Sequence, residues 1–546
     1  MAALLQGWAG DVTLVLSETG FDFQDEDDFR NSQNLAQLAV LDAWRGAAQP
    51  ADALVALPAS QRHLVVWAEP VAATWLGALP ASVRLAALHI YKHNASNSDT
   101  VLAACPQNLG TLKLFLPESL TCLPESMGQM TTLTTLNLSR CRSLTCLPES
   151  MGQLTALTTL HLSDCGSLTS LPESMGQLTA LTTLDLSVCD SLTCLPDWMQ
   201  QCTSWVSLGL PPCIHSLPDW VCQLTALMTL DLTWCDSLTR LPESMGQLTA
   251  LTTLNLKFCD SLTCLPESMG QLTALTTLDL ASCDSLACLP ESMGQLTALM
   301  TLNLSVCDSL TCLPESMGQL MALTTLYLTS RDSLICLPES MGQLTALTTL
   351  DLGHYRSMTC LPASMGQLTA LTSLNLRDCD SLICLPESMG QLTALTTLNL
   401  SRCPSLTCLP ESMGQLTALT TLYLAYCGSL TSLPESMGQL TALMRLDLSR
   451  CNSLTCLPAS MGQLTALTML ELIGFYSLRD WAKHLLEANK QFADFRCREL
   501  LLATLGQRRR FRRRYRLPPE LWYLVDQQLW QGQPERKPPA LSAASQ

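Results

Sequence analysis

From Leu123 to about Asp480 hydrophobic residues return with a period of 24, and their spacing within one period dictates its shape. A representative unit is LPESMGQLTALTTLDLSVCDSLTC, residues 171–194. Numbered 1 to 24 from its first leucine, it carries Leu at 1, 8, 11, 14, 16 and 22 and Met at 5. The alternation at 14 and 16 predicts a short strand with those leucines on one face and positions 13, 15 and 17 on the other. Pro at 2 predicts the first turn of a short helical segment, where its missing N–H is harmless. The remaining leucines and the methionine return to the same interior. Copies open at Leu123, Leu147, Leu171, Leu195, Leu217, Leu241, Leu265, Leu289, Leu313, Leu337, Leu361, Leu385, Leu409, Leu433 and Leu457, and only the step from Leu195 to Leu217 is shortened, to 22 residues. One unit offers roughly 10–15 kcal/mol of gross burial, no more than the cost of ordering it. Each unit must therefore stack on its neighbours. Parallel strands about 4.8 Å apart, with bulkier returns behind them, predict an α/β solenoid: a horseshoe with a parallel β-sheet on its concave face and helical caps.

The pattern L-x-x-L-x-L-x-x-C-x-x-L-x-x-L-P-x-x-x-x-x-L resembles the intracellular leucine-rich repeats of plant disease-resistance proteins and of the Ras-group scaffolds. It covers about two thirds of the chain. The resemblance implies a non-enzymatic scaffold that binds a protein or peptide partner on the concave face, in signalling or immune-type recognition. The nucleotide-binding module that the resistance family sets before its repeats has no counterpart in the sequence, so that family's switch does not carry over.

Three domains are expected. Residues 1–122 read as an N-terminal flank and cap: Leu79-Pro80-Ala81-Ser82 followed by Leu85, Leu88 and Ile90 resembles a decayed repeat, and Leu109, Leu112, Leu114, Leu120 and Cys122 fall in register with the array. Residues 123–480 hold the fifteen repeats. Residues 481–546 begin in a helix whose apolar face carries Trp481, Leu485, Leu486, Phe492 and Phe495, pass through an Arg-rich segment at 507–516 and end in a tail of disordered composition. Between them, Leu517-Pro518-x-Glu520-Leu521-x-x-x-Val525-x-x-x-Leu529 resembles the opening of an F-box, and the longer stretch from Cys497 is similar to a SOCS box. That resemblance implies adaptor binding by Leu517, Pro518, Leu521, Leu524, Val525 and Leu529, and a substrate-receptor role in a cullin-type ubiquitin ligase. An amphipathic helix completing the cap is the competing reading, and the sequence leaves both open.

Charge and cysteine usage narrow the setting. The net charge of −17 conceals a C-terminal stretch, 477–546, of +7, so residues 1–476 carry −24. Such a body is a poor surface for nucleic acid. Glu at position 3 is expected on the outer side, keeping a leucine-rich stack soluble. The Arg-rich segment reads as a nuclear-import or nucleic-acid patch, a membrane-surface patch or a solvated loop. No apolar run is long enough to span a membrane, and the first twenty residues lack the basic flank of a signal peptide. Twelve units carry Cys at position 19, and many carry another at 24. Thiols in one column all point the same way, which suits a reduced, buried filler better than disulfides. These features predict a cytoplasmic protein, with nuclear location as the Arg-rich alternative. No metal site, cofactor motif or catalytic signature is found, so the chain is not read as an enzyme.

Variation between copies marks candidate contacts. Position 18 runs from Arg140 through Asp164, Val188 and Trp234 to Arg450 with little in common. Such diversity suits either a recognition surface or relaxed constraint on an exposed side chain. Aromatic and cationic residues anchor interfaces, which singles out Trp234, Lys257, Phe258, Tyr327, Arg331, His354, Tyr355, Arg377, Arg402, Tyr423, Tyr426 and Arg450 as partner-binding candidates. Around the shortened unit, Trp205 is expected in the core, while Trp198 and Trp220, both at position 4, are expected side by side on an outer face. Gln200 and Cys222 replace Gly at position 6 there, so that backbone is not expected to need a positive φ.

Overall fold

The structure is a computed structural model that describes strands at Val12–Ser17, Leu38–Asp42, Arg62–Trp67 and Ala87–Tyr91 and residues 109–114, 121–329, 334, 336–455 and 457–472. The chain divides into two compact units, 1–326 and 327–546.

One repeat shows how the sequence becomes structure. Pro172 is extended (φ −68°, ψ 143°), and its carbonyl accepts the Met175 N–H at 3.1 Å, opening a 3₁₀ turn at Glu173–Gln177. Leu178 closes that turn by donating its N–H to the Met175 carbonyl at 3.0 Å. The proline therefore stands as the N-cap, just outside the turn, because an i→i+3 bond uses its carbonyl and never needs its N–H. The strand Thr183–Asp185 follows, with Leu184 buried between two half-buried neighbours. Leucines at 8, 11, 14, 16 and 22 and the methionine at 5 form the interior along the array, as Met269, Leu272, Leu275, Leu278, Leu280 and Leu286 show with no exposed surface.

In the first unit Val12–Ser17 lies between Leu38–Asp42 and Arg62–Trp67, parallel to both. From Arg62–Trp67 onward the strands pair in chain order through Ala87–Tyr91, Thr111–Leu114 and Thr135–Asn137 to Thr301–Asn303. Leu64, Leu88, Leu112 and Leu136 are direct register partners. The 24-residue period thus reaches back to Leu64, well before the first Leu-Pro copy. In the second unit Thr349–Asp351, Ser373–Asn375, Thr397–Asn399, Thr421–Tyr423, Arg445–Asp447 and Met469–Glu471 pair in parallel, each with the next. Each unit is a solenoid of rungs whose returns, among the described residues, are 3₁₀ turns. The expected helical cap at 481–546 lies outside the described residues, as do Trp481, Leu485, Leu486, Phe492 and Phe495. Among the described residues no helix is long and apolar enough to cross a membrane.

Adjacent returns meet at position 6. A Cβ placed on Gly390 would lie 2.7 Å from both the carbonyl oxygen and the Cβ of Ser412, the position-4 serine of the next repeat. None of the described glycines at this position has a positive φ, as expected; closeness of neighbouring returns is what excludes a side chain. The shortened unit departs from this contact. There Trp198 is buried at position 4 and Trp220 half-buried, so the two do not form an exposed pair. Trp205 is fully buried, and its Nε1–H donates to the Met199 carbonyl at 3.2 Å. Trp198 and Trp205 are core filling around the deletion.

Glu at position 3 has a structural role beyond solubility. Its Oε2 accepts the N–H of the next repeat's position-4 serine, as Glu243 does from Ser268 at 3.2 Å and Glu387 from Ser412 at 3.2 Å. Each carboxylate thereby caps the neighbouring 3₁₀ turn.

Gly390→Ala is expected to lower the denaturant midpoint, by about 1–3 kcal/mol of stability, because the neighbouring backbone must move. Gly428→Ala, whose Cβ would meet nothing within 4 Å, is expected to leave it unchanged. Equal midpoints for the two variants would refute the packing account.

Candidate binding face

Each strand ends in a turn that fixes three side chains by three different bonds. Asp or Asn at position 15 accepts the N–H of position 17 through Oδ1: Asp185 from Ser187 at 3.0 Å, Asn255 from Lys257 at 3.1 Å, Asn399 from Ser401 at 3.0 Å. Position 18 then adopts a left-handed conformation. Arg140, Asp164, Val188, Trp234, Phe258, Ser282, Val306, His354, Asp378, Arg402, Tyr426 and Arg450 all have φ between 58° and 67°. This conformation costs a non-glycine residue about 1–2 kcal/mol. In return the position-18 N–H reaches the position-17 carbonyl of the following repeat, as Trp234 reaches Lys257 at 2.9 Å and Arg402 reaches Ala425 at 2.6 Å. Cys at 19 then turns inward.

The cysteine column is a ladder of hydrogen bonds as well as a filler. Outside the shortened unit and the repeat after it, the thiols donate to the position-16 carbonyl of the preceding repeat: Cys259 to Leu232 at 3.2 Å, Cys283 to Leu256 at 3.1 Å, Cys403 to Leu376 at 3.1 Å. Burial pushes the thiols of Cys189, Cys235 and Cys307 up to about 12, which keeps them protonated as donors. The position-24 thiols, including Cys146, Cys264 and Cys384, are exposed, and the described cysteines are all free. Among the described residues no group of three or more His, Cys, Asp or Glu side chains is placed to hold a metal ion.

Because the left-handed turn sends the position-18 side chain outward, successive copies form a column beside the sheet face. In the first unit Trp234 and Phe258 stack with ring centroids 4.0 Å apart and an interplanar angle of 18°, and the Lys257 ammonium sits 4.7 Å from the Phe258 centroid. Trp234 remains 39% exposed. In the second unit the position-18 side chains meet through ionic contacts. His354 lies 3.7 Å from Asp378, which also accepts from Arg377 at 2.9 Å and lies 3.8 Å from Arg402. Arg402 and Arg450 then approach the Tyr426 ring at 5.4 and 5.2 Å, and Arg445 approaches Tyr423 at 5.1 Å.

Most of the candidate contacts thus fall into two clusters, Trp234, Lys257 and Phe258 in one unit and His354, Arg377, Arg402, Tyr423, Tyr426 and Arg450 in the other. Tyr327 is half-buried at position 15. Tyr355 must be withdrawn as a surface contact. It occupies the inward-facing position 19 and is only 2% exposed. Arg331 lies outside the described residues, as do Leu517, Pro518, Leu521, Leu524, Val525 and Leu529, on which the F-box or SOCS-box resemblance rests. Sequence reasoning missed Asp378 and Arg445. Their signal was present, since an acid falls between Arg377 and Arg402, and Arg445 replaces the usual Thr at position 13.

Residues 207–309 match the family described as leucine-rich repeat region. Among solved structures, a leucine-rich repeat protein of Leptospira interrogans is similar with 28% identity over 78% of this chain and 100% of its own, at a TM-score of 0.57. The Drosophila Toll–Spätzle complex matches at 19% identity over 78% of this chain and 60% of that one, at a TM-score of 0.52, a likeness of fold. No curated protein sequence matches the chain. The matched region and the rung geometry agree on a leucine-rich-repeat solenoid.

Two outcomes follow from the exit turn. Val306→Asn should raise stability by about 1 kcal/mol, since Asn tolerates the left-handed region and a β-branched residue does not; an unchanged or lower thermal midpoint would contradict this. The raised thiols stabilise the fold fully below the ordinary value of 9.0, and that contribution is lost as pH rises toward about 12. The denaturation midpoint should therefore drop between about pH 9 and 12. A chain with Ala at 189, 235 and 307 should show a shallower drop.

Proposed function

We propose that this leucine-rich-repeat protein is a non-enzymatic scaffold that binds a protein or peptide partner across its sheet face and the position-18 column beside it. Leucine-rich-repeat folds typically serve protein–protein interaction. The observation that carries the reading is the stacked, part-exposed Trp234–Phe258 pair with Lys257 over its second ring. An exposed tryptophan backed by a fixed aromatic neighbour presents large apolar area at low entropic cost, the usual makeup of a binding hot spot. The core does not require either ring, because the backbone N–H of position 18, not its side chain, makes the rung contact. Signalling or immune-type recognition is the setting that the repeat resemblance favours.

The test is capture of a protein ligand by the full chain, repeated with Trp234→Ala plus Phe258→Ala. The double variant should weaken capture at least about tenfold, or about 1.4 kcal/mol. Met321→Ala, exposed away from the column, should retain it. Undiminished capture by the double variant would remove these residues from the interface.

A further inference from the structure

We propose that Arg402, Tyr426 and Arg450 form a clamp for an acidic peptide segment, a specificity that rests on the binding reading of this same surface. Three successive left-handed turns set the three side chains in one column, with Tyr426 between the two guanidiniums at 5.4 and 5.2 Å. Tyr426 is 45% exposed and the Arg402 side chain 53%. The ring holds both arginines in place through cation–π contact, while their N–H edges remain available to carboxylates.

The local charge is the reverse of the net charge of residues 1–476, and two independent changes produce it. In the first unit the neighbouring position 20 is acidic in five of its eight copies, Asp190, Asp236, Asp260, Asp284 and Asp308, the others being Arg142, Gly166 and Ile214. In the second unit Asp380 is spent on Arg356 at 3.7 Å, and the next three copies read Pro404, Gly428 and Asn452. The acids vanish at the repeats where position 18 becomes Arg, Tyr and Arg. Asp378 is shared by Arg377 and Arg402, and among the described residues no carboxylate lies within ion-pair distance of Arg450. Arg445, on the sheet face near Tyr423, is matched by Glu471 at 2.7 Å and adds no free charge. In a chain of net −17, a cationic island flanking an exposed ring selects a partner carrying clustered carboxylates and repels basic segments. Two rungs separate the guanidiniums by about 10 Å, so one carboxylate cannot satisfy both and the partner must carry at least two.

The probe is a fluorescent twelve-residue peptide of repeated Glu-Glu-Leu, measured by anisotropy against the full chain. Its Gln-Gln-Leu counterpart and a single-stranded oligouridine serve as comparisons. The acidic peptide should bind, with affinity falling at least about fivefold between about 50 and 300 mM salt. Arg402→Gln with Arg450→Gln should reduce affinity about tenfold or more at an unchanged thermal midpoint. The corresponding Lys pair should keep part of it, and Arg356→Gln should change nothing. No binding of the acidic peptide, equal binding of the Gln peptide, preference for oligouridine, or an indifferent double variant would each overturn the clamp. Failure here with partner capture still dependent on Trp234 and Phe258 would leave the scaffold reading standing.

Discussion

The N–H at position 18 has one acceptor within reach, the position-17 carbonyl of the following repeat, and a left-handed backbone is what aims it there. Leaving such a group buried and unpaired costs about 1–3 kcal/mol, against about 1–2 kcal/mol for the left-handed conformation. Nine of the left-handed copies, from Arg140 to Tyr426, make this bond, while Val188 and Val306 keep the left-handed turn without it. The neighbouring bonds depend on this turn. Position 17 faces its own Asp or Asn at 15, and the thiol at 19 faces the carbonyl at 16 of the rung before. A strand of only three residues is thereby extended into a continuous ladder.

The same turn explains how variation and order coexist. The side chain at 18 contributes nothing to the ladder, so it can be Trp, His, Arg or Tyr without loss of register. Yet the repeating backbone places each such side chain one rung from the last. Neighbours consequently interact: Trp234 stacks on Phe258, Asp378 bridges His354 and Arg402, and Tyr426 lies between two arginines. The side-chain chemistry of the column is thus organised by rung spacing, while the core beneath remains leucine-rich throughout.

What the sequence made legible was whatever follows from periodicity. The leucine alternation at 14 and 16 identified the strand, the parallel stack and the buried face. The inward-facing column of reduced thiols was also readable from its regularity. Pairwise contacts between repeats were not, because a residue seen in one copy shows nothing of its partner 25 or 27 positions away. Glu at 3 looked like a solubility device although it caps the turn 25 residues on, and even within one repeat Asp or Asn at 15 looked like free sheet surface although it accepts the N–H at 17. Tyr355 looked like a contact because it is aromatic and unusual; its column number, shared with buried cysteines, already placed it inside. Leu64 and Leu88 were hard to recognise as rungs because the Leu-Pro return that marks the other copies is absent or decayed before them.

The shortened unit tests the central role of the exit turn by breaking it. Pro211 and Pro212 occupy positions 17 and 18 there. Proline has no N–H to send to the next rung and holds φ near −65°, and Pro212 is accordingly absent from the left-handed series. The ladder survives only up to position 16, where Leu210 donates to Asp231 at 2.8 Å. The following thiol, Cys235, shifts its acceptor from position 16 to the Pro211 carbonyl at 3.6 Å. With the turn gone, two residues are dispensable, and Trp198 and Trp205 fill the space within. The outer column is interrupted as well: Val188 has no left-handed successor until Trp234. Trp234 therefore begins a new run with a ring on only one side of it, Phe258, and remains part-exposed.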